Sequence, residues 1–262
     1  MTSDDPFRML ALKLALSPTL ILIASLAARR WGVLVAGWLA GFPLTSGPVS
    51  VFLAVEQSPT FAAAAARGTL VGVIAMVGFC LAYARLALTR GAAVSMAGGL
   101  LCLLVLAAVL VALDPSLPLT LGLLGMTLVL SLASLPPAGA RPAPSAPPWW
   151  DIPARMAVAV GLVVGLTEFA DRLGPDLSGL ISPVPIFASV LAVFTHRHQD
   201  GPAAAELLRG VILGNFSFSA FFLVVALALG PLDSPAAYGL AASVSALVNM
   251  AALGWDRTRV AG

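Results

Sequence analysis

Long apolar stretches follow one another along this chain, and short polar or proline-containing breaks separate them. A helix that spans a bilayer needs roughly 20 mainly apolar residues. With that length, and with Gly and Pro as punctuation, the pattern predicts an all-α polytopic membrane protein with about nine transmembrane helices. Their predicted bounds are 10–28, 33–55, 64–84, 92–113, 119–135, 153–169, 177–195, 206–229 and 235–254.

The same pattern appears twice in the chain. The stretch from Gly37 to Pro43 resembles that from Gly179 to Pro185, and the Arg-Gly-x-x-x-Gly sequence at Arg67 recurs at Arg209. A single offset of 142 residues aligns both pairs without a gap. A fixed offset held over this distance indicates an internal duplication.

Two breaks divide the chain into three predicted regions. Residues 1–113 form the first four-helix repeat, and residues 149–262 form the second. Between them, 114–148 contain an adaptor helix, the fifth, and a proline-rich linker at 136–148 that cannot be helical. The fifth helix, at 119–135, is only just long and apolar enough to cross the membrane.

The number of spans between the repeats determines their relative orientation. Five spans, an odd number, would insert the second repeat upside down relative to the first. On this model one side of the membrane receives ten Lys and Arg residues and the other receives four. The positive-inside rule then predicts an outside N-terminus and a cytoplasmic C-terminus. If the fifth helix does not cross, the repeats are parallel and the bias falls to nine against five.

Composition leaves little room for a soluble domain, because 60% of the residues are apolar and only 10% are charged. The mean hydropathy of +1.00 agrees with a chain that lies almost wholly in the lipid bilayer. Basic residues are scattered, so nucleic acid is not expected as a partner. No metal or cofactor motif is present, and Cys80 and Cys102 show neither zinc nor haem spacing.

A binding site is predicted where Pro43 and Pro185 interrupt equivalent helices near their middle. Proline removes a backbone donor and breaks the helix, and paired breaks near the bilayer centre are typical of transporter binding sites. The nearby polar candidates are Thr45, Ser46, Ser182 and Asn215. The alternative interpretation is a pair of packing kinks.

Arg67 and Arg209 are predicted to begin equivalent helices, each followed by a GxxxG sequence. The arginines suggest an anion-recognising pair, one at each mouth of a pathway; alternatively they reach out to lipid headgroups. The glycines favour close helix packing, either within the chain or in a homodimer.

Two functions from different classes fit these features. One is a small secondary transporter or exporter for a small-molecule or anionic substrate. The other is a scaffold or accessory subunit of an envelope-polymer or lipid system that transports nothing. An enzyme is not expected, because the sequence contains no catalytic motif such as GxSxG, HExxH or a P-loop.

The stretches from Gly37 to Pro43 and from Gly179 to Pro185, with Leu208-Arg209 downstream, resemble the GlpM family of small bacterial inner-membrane proteins. That resemblance implies a four-helix unit in each half and a location in the bacterial cytoplasmic (inner) membrane. This chain would be a fused tandem version. It departs from the family's double-proline stretch in the first half, which keeps only Pro43.

Overall fold

A computed structural model describes most of the chain, with side chains except for Glu56 and 253–261, where it describes the backbone alone. The described residues are 19, 22–41, 43, 46–136, 150–158, 160–161 and 185–261. Their secondary structure is helical, and no β-strand is found among them. The helices are α1 (22–31), α2 (Val33–Ala40), α3 (Ser46–Glu56), α4 (Pro59–Ala87), α5 (Ala92–Leu113), α6 (Leu117–Ser134), α7 (151–158), α8 (Ile186–His198), α9 (Gly201–Ala228) and α10 (Ser234–Ala261).

Five of the described helices are long and apolar enough to cross a membrane: α4, α5, α6, α9 and the part of α10 up to Ala252. The predicted fifth helix is among them, as α6. The count of nine therefore remains a prediction, since parts of the predicted first, sixth and seventh helices lie outside the described residues.

Helices α4 and α9 each begin five residues earlier than predicted. Ser58 accepts a hydrogen bond from the Phe61 amide at 3.1 Å, and Asp200 accepts one from the Ala203 amide at 2.6 Å. Such N-caps satisfy amides that a helix start leaves unpaired. Hydropathy alone missed these starts because the caps are polar. The two caps are 142 positions apart, as are the starts of α5 and α10.

Helices α4 and α9 form the centre of the structure. In the most apolar window of each, 61% of residues are buried, against 22% for α5 and α10. The start of α9 at Gly201 packs on Ala87, the end of α4. Ser50 of α3, which leads into α4, bonds Tyr238 of α10, which follows α9. The two central helices therefore run in opposite directions.

The predicted second helix is interrupted, as its proline suggested. α2 ends at Ala40 and α3 begins at Ser46, with buried Pro43 between them. Pro43 keeps one helical contact, since its carbonyl accepts from Gly47 at 3.0 Å. Pro185 precedes α8 and accepts from Ser189 in the same way, at 2.8 Å. Both prolines thus stand just before a short helix.

Candidate binding cavity

A cavity of about 660 Å³ lies where α3, α4, α8 and α9 meet, next to the interruption at Pro43 and to Pro185, which precedes α8. Its size is within the ~300–1,000 Å³ typical of small-molecule sites. The described residues that line it are Ala40, Gly41, Ser46, Val49, Ser50, Leu53, Ala65, Ala66, Gly68, Thr69, Gly72, Val73, Met76, Pro185, Ile186, Phe187, Ala188, Val211, Phe218 and Phe222.

Small side chains on α4 make room for this space. Ala65, Gly68, Thr69 and Gly72 recur at three- and four-residue spacing, so they share one face of the helix. No described atom lies within 4 Å of the position that a Cβ on Gly68 would take. The first GxxxG sequence therefore borders a cavity.

The second GxxxG sequence packs helices within the chain, which is one of the two roles predicted for it. Gly210 and Gly214 of α9 lie directly on the backbone of α2, at Leu34 and Trp38. The contact is within one chain, so this motif does not serve a dimer in the described structure. Positions related by the 142-residue offset thus have different surroundings.

Of the predicted site residues, Ser46 and Pro185 line the cavity, and Pro43 is buried in the adjoining turn. Thr45 and Ser182 lie outside the described residues. The cavity brings Pro185 together with Gly41 and Ser46, the described residues on either side of Pro43, which sequence spacing alone could not show.

Asn215 lies on the same face of α9 as the cavity-lining Val211 and Phe218 but is not itself part of the lining. It is fully buried, and its side-chain amide donates to the Val211 carbonyl at 2.8 Å. Its Oδ1 has no hydrogen-bond partner among the described residues. A buried oxygen without a hydrogen-bond partner destabilises a fold. The Asn215 side chain therefore offers an unused hydrogen-bond acceptor next to the cavity.

The predicted arginine pair is not symmetric. Arg67 is exposed, whereas the Arg209 residue is only 2% exposed. The Arg209 guanidinium donates to the carbonyls of Leu132 at 2.9 Å and Leu135 at 3.1 Å, at the end of α6. These carbonyls have no partner within the helix, and a cation there also suits the helix dipole. Arg209 therefore caps α6, and its role in anion recognition stays a prediction.

The polar groups of the cavity wall are mostly occupied. Thr69 Oγ1 donates to Ala65 at 2.9 Å. The Ser50 and Tyr238 hydroxyls are 2.9 Å apart, and Tyr238 also donates to the Ser50 carbonyl. Ser46 has no hydrogen-bond partner for its hydroxyl among the described residues. No described lining residue carries a charge.

A buried ionic cluster near the start of α7 was missed by the sequence reasoning. Asp151 is 1% exposed, and its Oδ2 accepts from Arg155 Nε at 3.0 Å. Arg29 of α1 lies 3.9 Å from the same carboxylate, and His198 of α8 lies 3.6 Å from it. The spacing of four residues between Asp151 and Arg155 was the available signal. The cluster joins three elements.

These features together define a multi-pass, all-helical integral membrane protein with a cavity whose described lining residues carry no charge. Among the described residues, no group of His, Cys, Asp and Glu side chains could hold a metal ion. A scan of protein-family models, a search of curated proteins and a search of solved structures each returned no match to this chain. The resemblance to the GlpM family stays a prediction.

Proposed function

We propose that this protein is a small secondary transporter or exporter that binds its cargo in the cavity between the interruptions at Pro43 and Pro185. The observation that carries the proposal is the position of the cavity. It is lined by α4 and α9, central helices that start 142 residues apart, and by Pro185. Gly41 and Ser46, on either side of Pro43, also line it, and Pro43 precedes Pro185 by the same offset. Cargo sites at paired helix breaks are a recurring feature of transporters built from repeats.

Inverted repeats are part of the proposal. The opposite directions of α4 and α9 support inversion, since a parallel duplication would give the two helices one direction in the membrane. We place the N-terminus outside and the C-terminus in the cytoplasm of a bacterial inner membrane, with nine spans. Reporter fusions at the N-terminus, within 136–148 and after Gly262 test this. The N-terminus should report outside and the other two inside; one side for all three would contradict it.

The interruptions would supply the movement. Proline removes a helix hydrogen bond, and hinges form where helices end. In the proposed cycle, the segments joined at Pro43 and at Pro185 rock against α4 and α9 and open the cavity to alternate sides. Gly210 and Gly214 pack α9 tightly on α2, while Gly68 on the cavity wall borders open space, so the two sides of the proposed site differ in how closely they are packed.

Cysteine accessibility tests the carrier role without a known substrate. With Cys80 and Cys102 replaced by serine, Ser46→Cys and Thr69→Cys should react with a membrane-impermeant thiol reagent from both sides of the membrane. Leu104→Cys, on the lipid-exposed surface of α5, should react from neither. Labelling of both cavity positions from one side only would contradict a carrier. The scaffold alternative would then gain support if a larger enzyme co-purified with the protein.

The prolines can be tested in the same assay. Pro43→Ala together with Pro185→Ala should lower labelling from one side, because continuous helices resist rocking. The matched control is Pro59→Ala with Pro202→Ala, at the first turns of α4 and α9. Proline fits there without strain, so these changes should leave two-sided labelling intact. Equal labelling in both double variants would contradict the hinge role.

A further inference from the structure

We infer that the cavity binds an uncharged, mostly hydrophobic molecule with an aromatic or aliphatic body and one hydrogen-bonding group. This inference rests on the proposed function only in calling that molecule cargo. It is argued from the charge, the polar groups and the shape of the wall.

The charge of the cavity wall limits the kind of molecule that the cavity can bind. None of the described lining residues is charged, and the nearby Arg209 is engaged with the end of α6. Arg67 is exposed and does not belong to the lining. Moving an unpaired ion into apolar surroundings is very costly, and a charged molecule would gain no charged partner from the described lining residues.

The polar groups limit the cargo further. Thr69 and Ser50 already bond Ala65 and Tyr238. The Ser46 hydroxyl is therefore the wall group best placed to bond a ligand. One hydroxyl orients one polar atom, which suits a molecule with a single alcohol, arylamine or carbonyl group.

The shape of the wall suits a ring or a chain. The rings of Phe218 and Phe222 lie 4.8 Å apart between centroids and are tilted by 41°, and Phe187 and Met76 add further apolar lining. Aromatic and methionine side chains contact flat or irregular apolar bodies well. The ~660 Å³ of space admits a molecule of two or three rings.

Two fluorescent probes with one skeleton test this. N-phenyl-1-naphthylamine is uncharged, and 8-anilino-1-naphthalenesulfonate adds one negative charge. Both brighten in apolar sites. With the full chain in amphipol, the neutral probe should bind saturably, and the sulfonate should bind at least about tenfold more weakly. Ser46→Ala should weaken the neutral probe by about three- to tenfold.

Glycine variants separate the cavity from the lipid-facing surface. Gly68→Phe should abolish saturable binding by filling the cavity. Gly125→Phe should preserve it, because Gly125 of α6 also has open space at its Cβ position but is not part of the lining. If Gly68→Phe fails to fold, Val49→Trp is the second filling variant, since Val49 lines the cavity and is 37% exposed.

Two results would overturn the inference. One is sulfonate binding as tight as that of the neutral probe, above all if Arg67→Gln abolishes it. The other is a neutral-probe signal that no filling variant changes. Probe binding is measured without a membrane gradient, whereas two-sided thiol labelling tests transport. The inferred ligand class and the proposed transporter function can therefore fail independently of each other.

Discussion

Gly41 and Gly214 meet at the crossing of α2 and α9 with no side chain between them. A Cβ built on Gly41 would lie 2.8 Å from the Gly214 Cα, and one on Gly214 would lie 2.7 Å from the Gly41 Cα. Backbone stands where either methyl group would go, and backbone cannot turn aside as a side chain can. Glycine at both positions is what allows this crossing.

Alanine at Gly41 or Gly214 should therefore destabilise the protein by about 1–3 kcal/mol, the usual cost of overpacking. Gly122→Ala and Gly125→Ala in α6 are the matched controls, since both have open space at the Cβ position. They should be neutral or gain up to about 1 kcal/mol from helix propensity. Denaturant unfolding in detergent measures each variant; equal losses at all four positions would refute the close crossing.

Replacing Arg209 should lower the stability of the protein far more than replacing Arg67, which lies 142 positions before it. Arg209→Met leaves the carbonyls of Leu132 and Leu135 without their donor, with an expected loss of about 2–4 kcal/mol. Arg67→Met, at an exposed position, should change stability by no more than about 0.5 kcal/mol. Similar losses for both variants would mean that Arg209 does not cap α6.

The Asp151–Arg155 pair should behave as a buried ion pair. Asp151→Asn removes the carboxylate and leaves Arg155, which is 5% exposed, without its main counter-charge. A loss of about 3–5 kcal/mol is expected. Replacing both residues by apolar ones, Asp151→Leu with Arg155→Met, should recover most of that loss because no buried charge remains.

The control for the ion pair is Asp114→Asn at the exposed end of α5. Asp114 has a φ of 42°, a left-handed conformation that asparagine also tolerates. This variant should lie within about 0.5 kcal/mol of the parent protein. The test compares the thermal unfolding temperatures of the parent protein, Asp151→Asn, the double variant and Asp114→Asn. An Asp151→Asn protein as stable as the Asp114→Asn control would show that the ion pair does not stabilise the fold.

His196 should make stability depend on pH. Burial lowers the pKa of this imidazole, and the nearby Asp200 carboxylate opposes the shift without cancelling it. Tyr83 is its hydrogen-bonding neighbour, at 3.4 Å from Nδ1. Because the folded-state pKa is the lower one, the unfolded chain binds the proton more tightly. Stability should be constant above about pH 6.5 and fall as the pH drops below it.

Unfolding temperatures between pH 8 and 5.5 check this expectation. His196→Gln should flatten the profile, since glutamine does not titrate. A variant whose profile has the same slope as that of the parent protein would show that another group is responsible.

Several features followed from the sequence alone because they depend on local chemistry. The hydropathy pattern located the spanning helices α4, α5, α6, α9 and α10 to within a few residues. An apolar segment of that length is stable as a helix in the bilayer, because all its backbone groups are then hydrogen-bonded within the helix. The interruption at Pro43 followed from the missing amide of proline. The starts of α4 and α9 did not follow from hydropathy, although their capping residues Ser58 and Asp200 were there to be read.

The tertiary structure decided the rest, because those features depend on residues far apart in the chain. Arg209 meets the end of α6, 77 positions away, and only that contact shows it to be a cap. Ser50 meets Tyr238 across 188 positions, which uses up one of the few polar groups of the cavity. Equal GxxxG sequences gave one packed crossing and one cavity wall. The sequence by itself determined what each segment is, and packing between segments determined which groups remain available for a ligand.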